Sequence, residues 1–562
     1  MEYTPLTERV RANPRPAVVW LVGVGLLVAV ELGRIASGVL NIGDAIVTAV
    51  GAGYGGLADG LTTGGTTALI TAVGLLVGLW LVGLAIATAT RTTVVLRVSD
   101  RVPLRSQKLL DGFIFGLCLG AVCGLVVVTG AIDIVHALGD LLRSGFAWLS
   151  DLPTLTARET IPNQGYQTPD GTWHGTFLGL SSALAWGLRV LVVHLYVVAW
   201  LGWLWSGYGR YRRHYRQADW TPRDDVIGRL RYHRWGQFGM VVVLLFLTMA
   251  AFAPALGTAP ADQNIYAPFS NSISYYDANL GEVTEALVGN ANLQTRSQGY
   301  PGENVAPMTY DRFDRFHPFG TLTNGKDLFT FLVHGARVSL LIGLLSVGAS
   351  ALLATVFALI SAYYRGIADL ILVVTGDTIM GVPRLLLLIL LTVLLGDTWL
   401  GGLYNGGVLL ALVLAATGWP FLWRAFRGPT LQIAEEDWVD AARSYGQSAT
   451  GIMRLHMLPY LLGYLLIYSS LVLGGVILAV AGLSFLGLGI TSPTPEWGRA
   501  VDLGREFVAT ESWHISLIPG VMVTLVVMGF NAVGDALRDA VDPQSDSSVA
   551  DASETESRGG GV

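Results

Sequence analysis

Lysine is almost absent from this sequence of 562 residues. Lys108 and Lys326 are the two present, and arginine carries the rest of the basic charge. Cysteine is as scarce. Cys118 and Cys123 lie five apart in one apolar run, on different faces of a helix, so neither a disulfide framework nor a metal pair is implied. Charged residues make up only 14% of the chain. There is no G-x4-G-K-[ST] phosphate loop, which excludes nucleotide binding by that route. No H-E-x-x-H motif or Cys/His cluster has metal-ligand spacing, and no nucleophile elbow occurs. These absences argue against a membrane enzyme.

Apolar sequence is plentiful: 52% of residues are hydrophobic and the mean hydropathy is +0.53. Several runs reach the roughly 20 residues that cross a bilayer. The first is Val18–Val30. Spans are also expected at 67–89, 111–135, 178–205, 238–256, 335–363, 367–396, 405–427, 462–483 and 515–534. The reading is an all-α, polytopic helical membrane protein with about ten transmembrane helices. Arg9, Arg11 and Arg15 precede the first run as in a signal peptide. No small-residue cleavage site follows it, and Glu31 and Arg34 come next, so a retained span is expected.

The polar links alternate in sign. Arg91, Arg97, Arg101, Arg105 and Lys108 fall in one; Asp133, Asp140, Asp151 and Asp170 dominate the next. The third holds Arg210, Arg212, Arg213, Arg216, Arg223, Arg229, Arg231 and Arg234. By the positive-inside rule the N-terminus and both Arg-rich links are cytoplasmic. Four domains are expected: an N-terminal four-span region over 1–206, an Arg-rich linker over 207–236, a second membrane unit over 237–543, and a disordered acidic tail over 544–562. The linker reads as an anchor on anionic head groups rather than a nucleic-acid site. Scarce Lys, abundant Ala, Gly and Val, and an acidic tail point to an organism living in high salt.

In the second unit, residues 257–328 form a long polar segment that the sign rule places outside. Asp377 and Arg384 lie about seven residues apart in one span, and so near one helix face. Pro383 between them would kink the helix and free a backbone carbonyl. Glu435–Pro459, EEDWVDAARSYGQSATGIMRLHMLP, is polar between two apolar spans. It reads as a helix, a break at Gly446, and a second helix stopped by Pro459. Ala441, Ala442 and Gly446 remove bulk, so another surface can approach the backbone.

At these residues the chain resembles ABC (ATP-binding-cassette) importer permeases. Asp440, Ala441, Ala442, Gly446, Ile452 and Leu458-Pro459 are similar to the E-A-A-x-x-x-G coupling loop, with Asp440 in place of Glu. One residue more separates Ile452 from Leu458-Pro459 than in that loop. A second passage resembles the dipeptide/oligopeptide branch through His317, Pro318, Gly320, Thr321, Gly325, Asp327, Gly335, Ala336, Arg337 and Ser339. There Leu322-Thr323-Asn324 replaces an acidic pair, and Lys326 replaces an Arg. A third, Leu483–Gly489 with Pro493, Pro495, Trp497 and Gly498, is similar to L-S-F-L-G-L-G-x-x-x-P-x-P-x-W-G. It is expected to form a rigid turn at the outer surface, with backbone freedom at Gly487 and Gly489 and Trp497 as interfacial anchor. Gly534-Asp535, Leu537-Arg538-Asp539-Ala540 and Asp542-Pro543 fit the C-terminal signature. The resemblance covers residues 237–543 and leaves out the first four spans.

The resemblance implies a six-helix type I importer permease unit in the cytoplasmic membrane, with both termini cytoplasmic. This chain would bind no cofactor; ATP and Mg would belong to two partner ABC ATPase subunits. A second homologous permease and an extracellular solute-binding protein would complete the assembly in the lipid bilayer. Asp377, Pro383 and Arg384 either line the translocation path or are an interfacial Asp and a structurally paired Arg. Nickel complexes or oligosaccharides are the alternative cargoes. A scaffold or sensor built on the first four spans is the reading outside transport.

Overall fold

A computed structural model describes residues 4–63, 140, 144–145, 147–218 and 220–541. The expected spans at 67–89 and 111–135, both cysteines and the acidic tail lie outside the described residues. The chain divides into two units. One comprises Met1–Glu31, Pro153–Leu394 and Asn405–Val562; the other comprises Leu32–Leu152 and Leu395–Tyr404.

The first unit opens with α1 (Leu6–Ala12) and α2 (Arg15–Ala29), bent by 98° at Asn13-Pro14. Proline cannot continue the helix that precedes it. The second unit holds α3 (Leu32–Thr63), a helix of 32 residues that the search for apolar runs passed over. Arg34, Asp44 and Asp59, with many glycines, lower its hydropathy. Back in the first unit, α4 (Ser182–His214) is capped by the Ser181 hydroxyl, which accepts from the Leu184 N–H at 3.3 Å. It is followed by α5 (Pro222–Tyr232), α6 (Arg234–Ala251) and α7 (Ala253–Leu256).

Residues 257–328 contain α8 (Val288–Leu293) and short antiparallel ladders. Strand β1 (Tyr166–Gln167) pairs β2 (Trp173–His174) ahead of α4, and β3 (Ser272–Asp277) pairs β4 (Glu282–Leu287) with Ser272 opposite Leu287. Strand β5 (Thr309–Tyr310) pairs β6 (Phe316–His317). The long helix α9 (Leu328–Tyr364) begins at Asp327, whose carboxylate accepts the Thr330 N–H at 2.7 Å. Next come α10 (Gly366–Gly381) and α11 (Arg384–Gly396). In the second unit, α12 (Trp399–Gly402) packs on α3. The first unit closes with α13 (Gly407–Ala434), α14 (Asp437–Ser444), α15 (Ala449–Ile452), α16 (Leu458–Phe485), α17 (Trp497–Gly504) and α18 (His514–Val541).

Six described helices are long and apolar enough to cross a membrane, and two bent pairs bring the number to eight. Each expected span that falls on described residues corresponds to one of these eight. The core is built around α9, which packs along α13, α16 and α6, while α18 packs on α6 and α16. Small side chains let these helices approach where apolar burial alone gives no preference over lipid. Ala351, Ala354 and Ala358 of α9 receive Trp419, Leu422, Trp423 and Phe426 of α13. A Cβ on Gly239 of α6 would fall 2.7 Å from the Gly529 carbonyl of α18.

The N-terminal part is fastened to this core through polar groups. The indoles of Trp20 and Trp203 donate to each other's backbone carbonyls at 3.2 and 3.1 Å, joining α2 to α4. Arg158 donates to the carbonyls of Pro254, Gly257, Thr258 and Ala259 at 2.8–3.0 Å. Arg189, fully buried on α4, donates to the carbonyls of Ala255, Ile161 and Gly257 at 2.6–2.9 Å. Two guanidinium groups thus satisfy carbonyls left open at and just beyond the end of α7. Burial pushes the Arg158 pKa down to about 10, which leaves it charged at neutral pH.

Candidate functional site

The loop between α13 and α16 is a short helix seated on the core. Helix α14 turns Val439 and Ala442 inward, against Leu359 and Ala362 of α9, Ala434 of α13, Ile452, Met457 and Leu461. The chain then reverses at Gly446, where φ is +74°. The Gly446 and Gln447 N–H groups donate to the Arg443 and Ala442 carbonyls at 3.0 and 3.1 Å, closing the helix end. Asp440, Ala441 and Gly446 face outward, and no atom lies within 4 Å of a Cβ built on Gly446. Ala442 and Ile452 are instead buried and hold the loop down. Tyr445, which sequence reasoning passed over, is 91% exposed at the tip. A tyrosine in a polar run carries no periodic signal of its own.

Pro459 does not stop the second helix. Helix α15 continues through a wide turn at Met453–Met457 into α16, giving one helix over Ala449–Phe485. The wide turn makes room for the proline ring, and at the first turn of α16 the missing N–H costs no regular bond. The 435–459 loop is therefore continuous with a long span.

The expected span 367–396 is broken. Helices α10 and α11 meet at 89° across Val382-Pro383, so Asp377 and Arg384 do not share a helix face. Proline restricts the residue before it to extended backbone, and Val382 has ψ 135°. Asp377 pairs with Arg424 of α13, and Asp369 takes Arg427 at 2.6 and 2.8 Å. Arg384 lies over the Phe421 ring at 5.5 Å. Around the break is a cavity of about 220 Å³, lined by Gly381, Pro383, Arg384, Leu387, Thr417 and Phe421 among others.

At the other end of α9, His317 is buried between two carboxylates. Its Nδ1 is 2.8 Å from Asp327 and its Nε2 is 3.1 Å from Asp311. Arg315 donates to Asp311 at 2.7 Å and to Asn292 at 2.7 Å. Burial opposes charge on the imidazole, but the bonds to Asp311 and Asp327 outweigh it and raise the His317 pKa. Burial likewise pushes the Asp311 carboxyl up, and the Arg315 and His317 charges overcome it and hold it well below the usual range. Gly320 has φ +77°, and a Cβ there would meet the His514 ring at 2.6 Å. Leu322, which replaces the first residue of the acidic pair, is fully buried. Arg337 is exposed on α9.

Trp497 is not a surface anchor. It is 1% exposed, its ring packs edge-on against Phe246 at 5.6 Å, and its indole N–H bonds the Leu332 carbonyl. The turn before it places Gly487 at φ +74° and Gly489 at φ +138°. A Cβ on Gly498 would sit 1.9 Å from the Ala481 carbonyl, so the motif is a packing joint between α16 and α17. Beside it, the buried Glu496 caps α17 through the Arg499 N–H at 3.1 Å. Burial pushes its pKa up to about 7, against the backbone N–H groups that lower it.

Comparison with known proteins adds to this geometry. Residues 354–546 match the family model described as binding-protein-dependent transport system inner membrane component. Residues 221–274 match the N-terminal TM domain of oligopeptide transport permease C. The dipeptide transport system permease protein DppC of Alkalihalophilus pseudofirmus is 30% identical over 324 residues, 58% of this chain and 90% of that protein. The chain belongs to the binding-protein-dependent transport permeases. A putative peptide transport system permease of Brucella suis is 36% identical over 248 residues, 44% of this chain and 80% of its own. The probable D,D-dipeptide transport system permease DdpC of Escherichia coli is 34% identical over 229 residues, 41% of this chain and 74% of its own. This permease is a multi-pass membrane protein and a transport component rather than an enzyme. Both family models begin at or after residue 221, beyond α4.

Proposed function

We propose that this permease is one membrane subunit of an ATP-driven importer of dipeptides or oligopeptides in the cytoplasmic membrane. The single observation carrying the mechanism is the seating of the 435–459 loop. Its outer face offers Asp440, Ala441, Gly446 and Tyr445, while its inner face is packed on α9, α13 and the continuation into α16. A partner ABC ATPase gripping the outer face would move these helices together, since packed interfaces transmit displacement rather than absorb it. Two such ATPases would bind ATP and Mg and hydrolyse the nucleotide. Net work requires that they hold the loop differently in their two states; equal binding shifts nothing.

A second permease completes the path, for which Asp377, Pro383 and Arg384 are the candidate lining. A solute-binding protein delivers cargo on the outer side, near 257–328 and 484–513, where Arg337, Gly487 and Gly489 shape the rim, while Gly320, Asp327 and Trp497 are buried. Both termini and the coupling loop are on the cytoplasmic side. The unit over 237–543 is the transport domain, preceded by a membrane region over 1–206 and the linker over 207–236. Affinity purification in mild detergent tests the reading. Recovery of an ATPase and a second permease, lost on Gly446→Asp, is the expected result. Purification without an ATPase under conditions that preserve such complexes disproves it.

A further inference from the structure

Three arginines of the first unit lie on α11 and α13. Arg427 is held by Asp369, and Arg424 by Asp377. Arg384 has no carboxylate or hydrogen-bond acceptor among the described residues; its guanidinium lies over the Phe421 ring. Phe421 lies within α13, one of the helices long and apolar enough to cross a membrane, so Arg384 sits beside a span rather than in a polar loop. The same point is the 89° break between α10 and α11 and the cavity of about 220 Å³. The Thr417 hydroxyl, also on the cavity wall, is already bonded to the Val413 carbonyl at 2.9 Å. Ile379, Met380, Val382 and Leu387 make the rest of the wall largely apolar.

An ionised group without a counter-ion inside a membrane span is costly, and such residues face cavities and mark pathways. Broken membrane helices are where transporters hold their solutes. We infer that Arg384 is the cargo anchor of this permease and that it holds a carboxylate of the peptide in transit. The inference rests on the importer reading above. A guanidinium matches a carboxylate through two parallel hydrogen bonds, which an amide cannot reproduce. The Phe421 ring attracts the guanidinium without occupying its hydrogen-bond donors, which leaves them for the ligand. The cavity is smaller than the ~300–1,000 Å³ of complete ligand sites. It is one wall of a site that the second permease closes. Asp377 and Asp369 do not repel the anion, because Arg424 and Arg427 neutralise them.

The test uses the complete importer with its binding protein in proteoliposomes. Initial uptake is measured for a dipeptide and for the same dipeptide with a C-terminal amide, in wild type, Arg384→Gln and Arg384→Lys. The binding protein is common to all three, so its own preference cancels when acid-to-amide ratios are compared. Arg384→Gln is expected to lower the ratio about tenfold or more, mostly through loss of acid uptake. Arg384→Lys, which keeps charge without the planar fork, should fall between. An unchanged ratio, or equal loss of both peptides in either variant, overturns the anchor; an acid donated by the second permease would give that result. If the wild type imports neither peptide, the peptide-cargo reading itself fails.

Discussion

The indole nitrogen of Trp497 donates a 2.7 Å hydrogen bond to the carbonyl of Leu332, joining α17 to the early turns of α9. Gly335 lies under the same ring, where a Cβ would come within 2.8 Å of Trp497 Cδ1. Trp497→Phe keeps most of the packing and loses the bond, at about 1–3 kcal/mol. Trp497→Ala should cost about 3–5 kcal/mol. Thermal unfolding in detergent checks this. Unchanged melting of the alanine variant would return Trp497 to a surface role.

The buried triad of Asp311, His317 and Asp327 gives the 257–328 segment a pH dependence. The folded pKa of His317 is raised above its ordinary 6.5. Its contribution is fully present below that value and is lost as pH rises through the folded pKa. Asp311 is shifted the opposite way. Its contribution is present above the ordinary carboxylate value and disappears only in strong acid. The segment should therefore be most stable at mildly acidic pH and loosen in alkali. His317→Gln should be less stable in acid and flat toward alkali. Limited proteolysis of the segment across pH distinguishes the two. Equal alkaline loosening in the variant assigns the effect elsewhere.

How much of this was legible follows from the range of the signals. Apolar runs near 20 residues located every described span, because bilayer thickness sets their length. Helix α3 escaped because Arg34, Asp44, Asp59 and its glycines lower local hydropathy below what a run search detects. The helix and the turn at Gly446 in the 435–459 loop were legible because Asp440, Ala441, Ala442 and Gly446 signal them in a contiguous stretch. Arg384 was readable as an ionisable residue in a span, but its neighbour was not. Pro383 gave a kink, and nothing local gave 89° or brought Phe421 alongside. Trp497 was misplaced for the same reason: its partners Phe246 and Leu332 are distant in sequence.

Arg158 and Arg189 lie before the part of the chain that the family models match, yet both bond carbonyls at the end of α7. Removing Arg189 leaves the Ala255, Ile161 and Gly257 carbonyls without these donors. Arg189→Met should cost about 1.5–3 kcal/mol per charged hydrogen bond that water cannot replace. The loss should register first as cleavage within 153–181 by added protease, before the core unfolds. Protection equal to wild type would mean that the α2 and α4 contacts, including the Trp20–Trp203 pair, suffice.

Gly446 combines two separable features, a left-handed backbone and a bare surface. Its φ of +74° is strained for most side chains, by about 1–2 kcal/mol, whereas asparagine tolerates it. Gly446→Asn should therefore fold as wild type, with unchanged melting. If a partner ATPase must approach the backbone here, the added amide still blocks docking, and co-purification and uptake should fall at least tenfold. Gly446→Asp should behave the same way in both assays. Tyr445→Ala leaves the turn intact and removes the exposed ring, so any loss of ATPase capture in that variant reports contact alone. Full transport with Gly446→Asn would mean that glycine is present for the turn and that the docking face lies elsewhere on α14.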